Sequence, residues 1–385
     1  MFYSPVSAVP TPTTSYAPRR GARSNRTGRF ETIVVEADEE SSQEPETEAR
    51  GSGGSEGLGG WPDDSLSPPR PVTQVLIDHA RTIISRNTSP DILFDRSVNP
   101  YRGCEHGCVY CFARPTHAWL GLSPGLDFET KLFAKVDAAE LLRAELQKKS
   151  YRPSTLALGA NTDPYQPIEK RMRITRSILE LLQSCDHPTM ITTKSDLVLR
   201  DLDLLVPMAA RRLMAVSISL ATLDVDLARR MDPRAPIPAR RLAAARELAA
   251  AGIPVTILTS PMIPGLNDHE LEDLLAAAAD VGAQSAGYSL LRLPQELEEL
   301  FAEWTQEHYP LRREKIFSHL RSAHEGSAYR SEFGIRMRGS GPYADLIESR
   351  FRAGVARHGL DRRAPDLDCG LFRPPVEYDP QMSLF

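Results

Sequence analysis

No apolar run in this 385-residue chain approaches the ~18–20 residues a bilayer-spanning helix needs, which excludes an obvious membrane helix. A charged-then-apolar leader is also missing at the start, so the expectation is a cytoplasmic protein. Acids are absent from residues 1–30, which hold five arginines. A transit peptide would look similar, but the several prolines and weak amphipathic pattern favour an unstructured arm. Cysteine is scarce, with five residues in the whole chain, and three of them are clustered. That distribution does not describe a disulfide framework and fits a reducing compartment with a metal or redox role.

What is present bounds the fold. The chain is 41% apolar and 25% charged, enough for one large domain or two ordinary ones. The net charge of −5 is uneven: residues 31–64 hold eleven acids against Arg50 alone. Residues 310–363 hold twelve Lys or Arg against six acids, a modest pointer to phosphate-bearing partners. Residues 1–70 are rich in Ser, Gly, Pro and Glu and are expected to be disordered. The box RGARSNRTGRFE (20–31) stands out within them as a local exception.

From about residue 71 the pattern turns globular. VTQVLIDHARTIIS (72–85) reads as an amphipathic helix and ILFDRSV (92–98) as an extended piece. DAAELLRAELQKK (137–149) reads as a helix opened by an Asp137–Glu140 capping box. Strand-like and helix-like runs then alternate: strands at 154–159, 189–194, 213–220, 253–260 and 286–293, with helices between them. The spacing predicts an α/β fold with a parallel sheet and right-handed crossovers. Its length suits a partial (β/α)6 TIM-like barrel over 71–295 rather than a full eight-unit one. Residues 296–365 read as a helical C-terminal extension and 366–385 as an extended, Pro-interrupted tail.

In such folds the loops after the strands converge on one rim and carry the chemistry. The strand ends here are polar: GANTDPYQPIE (159–169), Lys194 and Ser195, the alternating Ser217 and Ser219, SPMIPGLND (260–268), and Arg292. After the first strand comes NPYRGCEHGCVYCFAR, with Cys104, Cys108 and Cys111 spaced Cys-x3-Cys-x2-Cys and no fourth cysteine nearby. Thiolates hold zinc or iron–sulfur clusters, and closed structural sites of both kinds usually take four protein ligands. Three leave one metal position open. A zinc site would draw its fourth ligand from His106 or His117. An electron-transfer ferredoxin would draw it from Cys185 or Cys369.

The stretch Cys104-x3-Cys108-x-Tyr110-Cys111 resembles the signature of the radical S-adenosylmethionine (radical SAM) enzymes. Over residues 90–295 the sequence is similar to the branch of bacterial proteins related to spore photoproduct lyase, and RGARSNRTGRFE is similar to the start of those relatives. The resemblance implies a [4Fe-4S] cluster on Cys104, Cys108 and Cys111, with S-adenosyl-L-methionine on the remaining iron. It further implies reductive cleavage to a 5′-deoxyadenosyl radical that abstracts hydrogen. It places Tyr110 beside the adenine, Lys194 against the cofactor carboxylate, and Ser217 in contact with the cofactor. Ser219, Asn161, Thr162, Asp163 and Pro264 of IPGLND complete the implied set. A flavodoxin or ferredoxin would supply the electron.

One departure stands out: where the lyase carries a cysteine that returns hydrogen to the product radical, this chain has Ala160. Tyr165 or Tyr288 would be substitutes. The last residues, Gln381 to Phe385 (QMSLF), resemble the short peptide that docks bacterial repair proteins on the DNA sliding clamp. With the basic 310–363 segment, these features make nucleic acid, in DNA repair or modification, the expected substrate. The alternatives are a radical SAM enzyme acting on a peptide, protein or small metabolite, and a non-enzymatic iron–sulfur or zinc module.

Overall fold

The computed structural model describes residues 20–30, 72–362 and 366–376. The strands in chain order are β1 Gln74–Ile77, β2 Ile84–Arg86, β3 Arg96–Val98, β4 Tyr101–Arg102, β5 Lys131–Ala134, β6 Leu156–Leu158, β7 Thr189–Thr193, β8 Met214–Ser219, β9 Val255–Met262 and β10 Ser285–Leu290. The helices are α1 Asp127–Thr130, α2 Ala138–Leu146, α3 Glu169–Met172, α4 Ile174–Ser184, α5 Leu202–Ala210, α6 Val225–Met231, α7 Pro238–Ala250, α8 Leu271–Asp280, α9 Leu297–His308, α10 Arg313–Ala323 and α11 Pro342–His358.

The larger sheet runs β10-β9-β8-β7-β6-β3-β2. Every pair from β3 to β10 is parallel, and β2 joins antiparallel at the edge. Six parallel strands with helical crossovers make the partial (β/α)6 barrel that the alternation predicts. The strands alternate faces with period two. Leu158, Ile191, Val216, Ile218, Val255 and Ile257 are buried in one core with the surrounding helices. Met190, Thr192, Ala215, Ser217, Thr256 and Ser285 face the other way and line a cavity. Strands covered on both faces are usually apolar throughout; here most of the inward face is small or polar, with Met190 and Leu258 as exceptions, so the barrel encloses space instead of filling it.

Two local expectations are corrected. Residues 72–85 form β1 and β2, not a helix, because half of that stretch is β-branched and favours the pleated sheet. β1 pairs with β5 and β5 with β4 in a separate three-stranded sheet. The helix after Asp137 forms without the capping box, since the Asp137 side chain makes no cap hydrogen bond.

A second apolar cluster sits on the C-terminal rim. Val109, Tyr110, Ile263 and Leu266 from the rim loops pack with Phe301 and Trp304 of α9 and Phe317 of α10, so the helical extension is anchored where the strands end. The opposite rim is covered by residues 366–376. Asp368 N–H donates to the Arg212 carbonyl (2.9 Å) and Arg373 N–H to that of Cys185 (3.0 Å). The Phe372 ring packs on Tyr151 and His187, with centroids at 5.5 and 5.2 Å. Among the described residues no helix is long and apolar enough to cross a membrane. The expected disorder of residues 1–19 and 31–70 and the clamp-like Gln381–Phe385 lie outside the described residues. Residues 20–30 are docked on the body.

Candidate active site at the C-terminal rim

The barrel cavity, about 800 Å³, is lined at its C-terminal end by Cys104, Cys108 and Cys111, a size suited to a cofactor with part of a substrate. Burial pushes the Cys108 and Cys111 thiols above the ordinary range. Among the described residues no three His, Cys, Asp or Glu side chains converge on one metal ion. A cubane spreads its thiolate ligands over separate irons, so it does not need such convergence. Neither histidine completes a zinc site. His106 Nδ1 lies 3.2 Å from an Asp163 carboxylate oxygen. Burial opposes its protonation, but Asp163 and Cys104 outweigh that and raise its pKa to about 9. His117 sits off the cavity, its Nε2 donating to the Lys131 carbonyl (3.0 Å).

Tyr110, Asn161, Asp163, Lys194, Ser217 and Ser219 line the same cavity as the thiols. Thr162 and Pro264 do not: the Thr162 hydroxyl donates to the Tyr101 carbonyl (2.8 Å), and Pro264 is buried in the β9–α8 loop. Asp163 is a brace. One carboxylate oxygen accepts from the Thr193 hydroxyl (2.6 Å) and Tyr165 N–H (2.9 Å). The other accepts from Lys194 N–H (2.8 Å) and faces His106. Burial alone would raise its pKa, but His106 and these donors hold it well below the usual carboxylate range. It therefore ties the second and third strand ends to the cysteine loop.

Lys194 is a cation of this end without an ion-pair partner among the described residues. Its Nζ stands 5.8 Å above the Tyr110 ring centroid. Burial disfavours its charge, yet Cys108, Asp232 and Asp163 more than compensate and raise its pKa. Behind Tyr110, whose hydroxyl is enclosed facing Asp232, lies a buried Arg241–Asp232 ion pair at 2.9 Å. At the mouth, Arg292 lies over the Phe112 ring (4.7 Å) with no acid within ion-pair distance among the described residues, Asp91 acting on it only at longer range. Burial lowers its pKa. A set of three thiols, an unpaired ammonium, an amide and two hydroxyls in one cavity fits an iron–sulfur cluster with an amino-acid-bearing cofactor.

The remaining cysteines and Tyr165 are elsewhere, whereas Tyr288 lines the cavity with its buried hydroxyl unpartnered among the described residues. Cys185 is buried at the end of α4, on the far rim. Cys369 folds back onto the barrel but lines the other end of the cavity, beside Thr155 just before β6. Ala160 faces the cavity. Tyr165 donates its hydroxyl to Asp201 (3.0 Å) within the core, and the Tyr288 ring packs on Phe351 of α11.

Sequence reasoning missed the support of the cysteine loop. All five N–H donors of Arg114 are used: on the carbonyls of Gly107, Cys108, Pro124 and Gly125, and on Glu129 at 2.5 Å. Glu129 also accepts from Gly21 N–H (3.0 Å) and Ala22 N–H (2.8 Å). A Cβ on Gly21 would stand 1.7 Å from the Gly107 carbonyl oxygen, so only glycine permits this approach. Arg29, Arg26 and Arg23 then pair with Glu296, Glu299, Glu303 and Glu307 along one face of α9. The three-residue arginine spacing and the three-to-four-residue glutamate spacing were the available signal.

Comparison with known proteins adds the family. The radical SAM superfamily profile matches residues 98–278. An uncharacterized protein of Mycobacterium tuberculosis is 39% identical over 219 residues, 56% of this chain and 64% of that relative. One from Methanocaldococcus jannaschii is 29% identical over 173 residues, 45% of this chain and 62% of the relative. The chain thus spans less than two thirds of these relatives' length. Among solved structures, spore photoproduct lyase with bound AdoMet and dinucleoside spore photoproduct superposes with a TM-score of 0.51, at 16% identity, covering 74% of this chain and 78% of the lyase. At that identity the likeness shows the fold.

Proposed function

Since residues 98–278 are a radical SAM domain, in a family that uses a [4Fe-4S] cluster and S-adenosylmethionine, we propose that this protein is a cytoplasmic radical enzyme acting on nucleic acid, in DNA repair or modification. When bound, the cluster and cofactor supply a 5′-deoxyadenosyl radical for hydrogen abstraction. Cys104, Cys108 and Cys111 would hold the cluster. Lys194 would face the cofactor carboxylate, a charge-assisted contact, with Asn161, Ser217 and Ser219 as the polar groups around it. Tyr110, fixed between Lys194 and Asp232, presents a ring face for the adenine. Asp163 keeps these loops in register.

The observation that carries the substrate reading is Arg292, a guanidinium at the cavity mouth with no described acid within ion-pair distance, lying over the Phe112 ring. Such a group suits a phosphate oxygen. The spore photoproduct lyase neighbour, whose structure holds a dinucleoside lesion, supports the same class. Ala160 argues against the strict lyase reaction, because neither Cys185 nor Cys369 stands at this rim to return hydrogen. The clamp-like tail and a flavodoxin or ferredoxin donor remain part of the proposal. The test is deuterium transfer into 5′-deoxyadenosine from specifically labelled DNA lesions under anaerobic reduction. Transfer supports the reading; none from any DNA, with transfer from a peptide or metabolite, overturns it.

A further inference from the structure

A second cavity, about 590 Å³, lies on the other side of the β9–α8 loop from the thiols. Ser260 and Pro261, near the end of β9, line the barrel cavity, and Gly265 and Asp268 of the loop line the second one. Its opposite wall carries Arg312, Lys315 and His319, from the start and first turns of α10. Arg312 and Lys315 are exposed and have no ion-pair partner among the described residues. The Lys315 stem runs along Gly265, where a Cβ would be 3.8 Å from its Cγ and 3.9 Å from its Cε. The His319 ring is stacked on Tyr343 at 4.5 Å and 24°. The one acid in the wall, Asp268, is already engaged: it accepts from Gly265 N–H (2.8 Å) and from the Tyr343 hydroxyl.

Two unpaired cations and the imidazoles of His269 and His319 around an open groove, with the neighbouring carboxylate occupied, form a site for phosphate oxygens. A small metabolite in the barrel would not reach it, since the loop intervenes. A polymer with a phosphate at every unit would. We propose that this groove binds the backbone phosphate of a single-stranded nucleic-acid segment flanking the unit held in the barrel. The inference rests on the nucleic-acid reading above and gives that substrate its second anchor. The contacts are to backbone, so they position the strand without reading its sequence.

The test uses full-length, reconstituted protein and fluorescence anisotropy with labelled single-stranded DNA across a salt series. Arg312→Ala with Lys315→Ala should weaken binding about tenfold at low salt, equally for different sequences, and flatten the log–log salt slope by about 1.4. S-adenosylmethionine binding and the melting temperature should be unchanged, because both side chains are exposed and outside the thiol cavity. Wild-type and variant binding DNA alike, with equal slopes, would overturn the groove while leaving the nucleic-acid reading intact. No DNA binding by either protein would overturn both.

Discussion

The two ends of the barrel cavity are built from the same strands and both carry cysteine, yet they are finished differently. At the C-terminal rim three thiols share a wall with Lys194 and Arg292, two cations with no acid within ion-pair distance among the described residues. At the N-terminal rim the buried arginine is matched, while Arg362, which also lines the cavity, is exposed to solvent. Arg96 is held by Asp95 through two bonds at 2.9 Å, Ser154 also reaches Asp95, and Cys369 belongs to the 366–376 segment that covers this rim. A thiol alone therefore identifies no chemistry. Cations without an ion-paired acid beside three thiols do, because their hydrogen-bond donors are left for a ligand to engage.

The largest expected effect breaks this asymmetry outright. Cys108→Ala should abolish the visible iron–sulfur absorbance after anaerobic reconstitution, while Cys369→Ala should leave it unchanged. Equal losses would mean that both rims serve the cluster. Next comes the clasp around the cysteine loop. Glu129→Gln strands the fully buried Arg114 charge and should cost about 3–5 kcal/mol, read by chemical denaturation. Gly21→Ala should loosen the same loop without altering charge, visible as faster loss of iron to a chelator.

Much of this arrangement was legible beforehand. The six βα units and the cysteine trio stand out because strand–helix alternation and motif spacing are local signals. The clasp was less visible: Arg114 lies inside the motif, but its partner Glu129 and the approach of Gly21 are long-range contacts. Asp232 and Arg241 were hidden for the same reason, Arg241 looking like a solvated charge on an Ala-rich helix. Residues 72–85 misled because an apolar period close to that of a helix outweighed their β-branched content. Asp163, taken from its loop as a cofactor contact, proves to be saturated by internal donors.

A smaller effect sharpens the C-terminal side. Lys194→Met should weaken S-adenosylmethionine binding by about ten- to a hundredfold, the worth of a hydrogen bond to a charged group, with cluster content retained. Equilibrium binding to reconstituted protein measures it, and unchanged affinity would remove Lys194 from the cofactor site. The smallest effect concerns the opposite rim. His187 Nδ1 donates to the Pro188 carbonyl (3.0 Å), so Nε2 accepts from the Tyr151 hydroxyl (2.7 Å) and the ring is neutral. Burial, with Arg96 nearby, lowers its pKa from 6.5 to about 4. Between those values the unfolded chain binds a proton that the folded chain does not, so stability falls as pH drops, by up to about 1.4 kcal/mol per unit. Urea titrations at several pH values should show that slope, and His187→Gln should flatten it.

The most direct test of the central claim is the metal content and S-adenosylmethionine chemistry of the anaerobically reconstituted wild-type protein. The account predicts four iron and four sulfide per chain, with 5′-deoxyadenosine released on reduction by dithionite. A colourless protein carrying one zinc per chain and releasing no 5′-deoxyadenosine would contradict it.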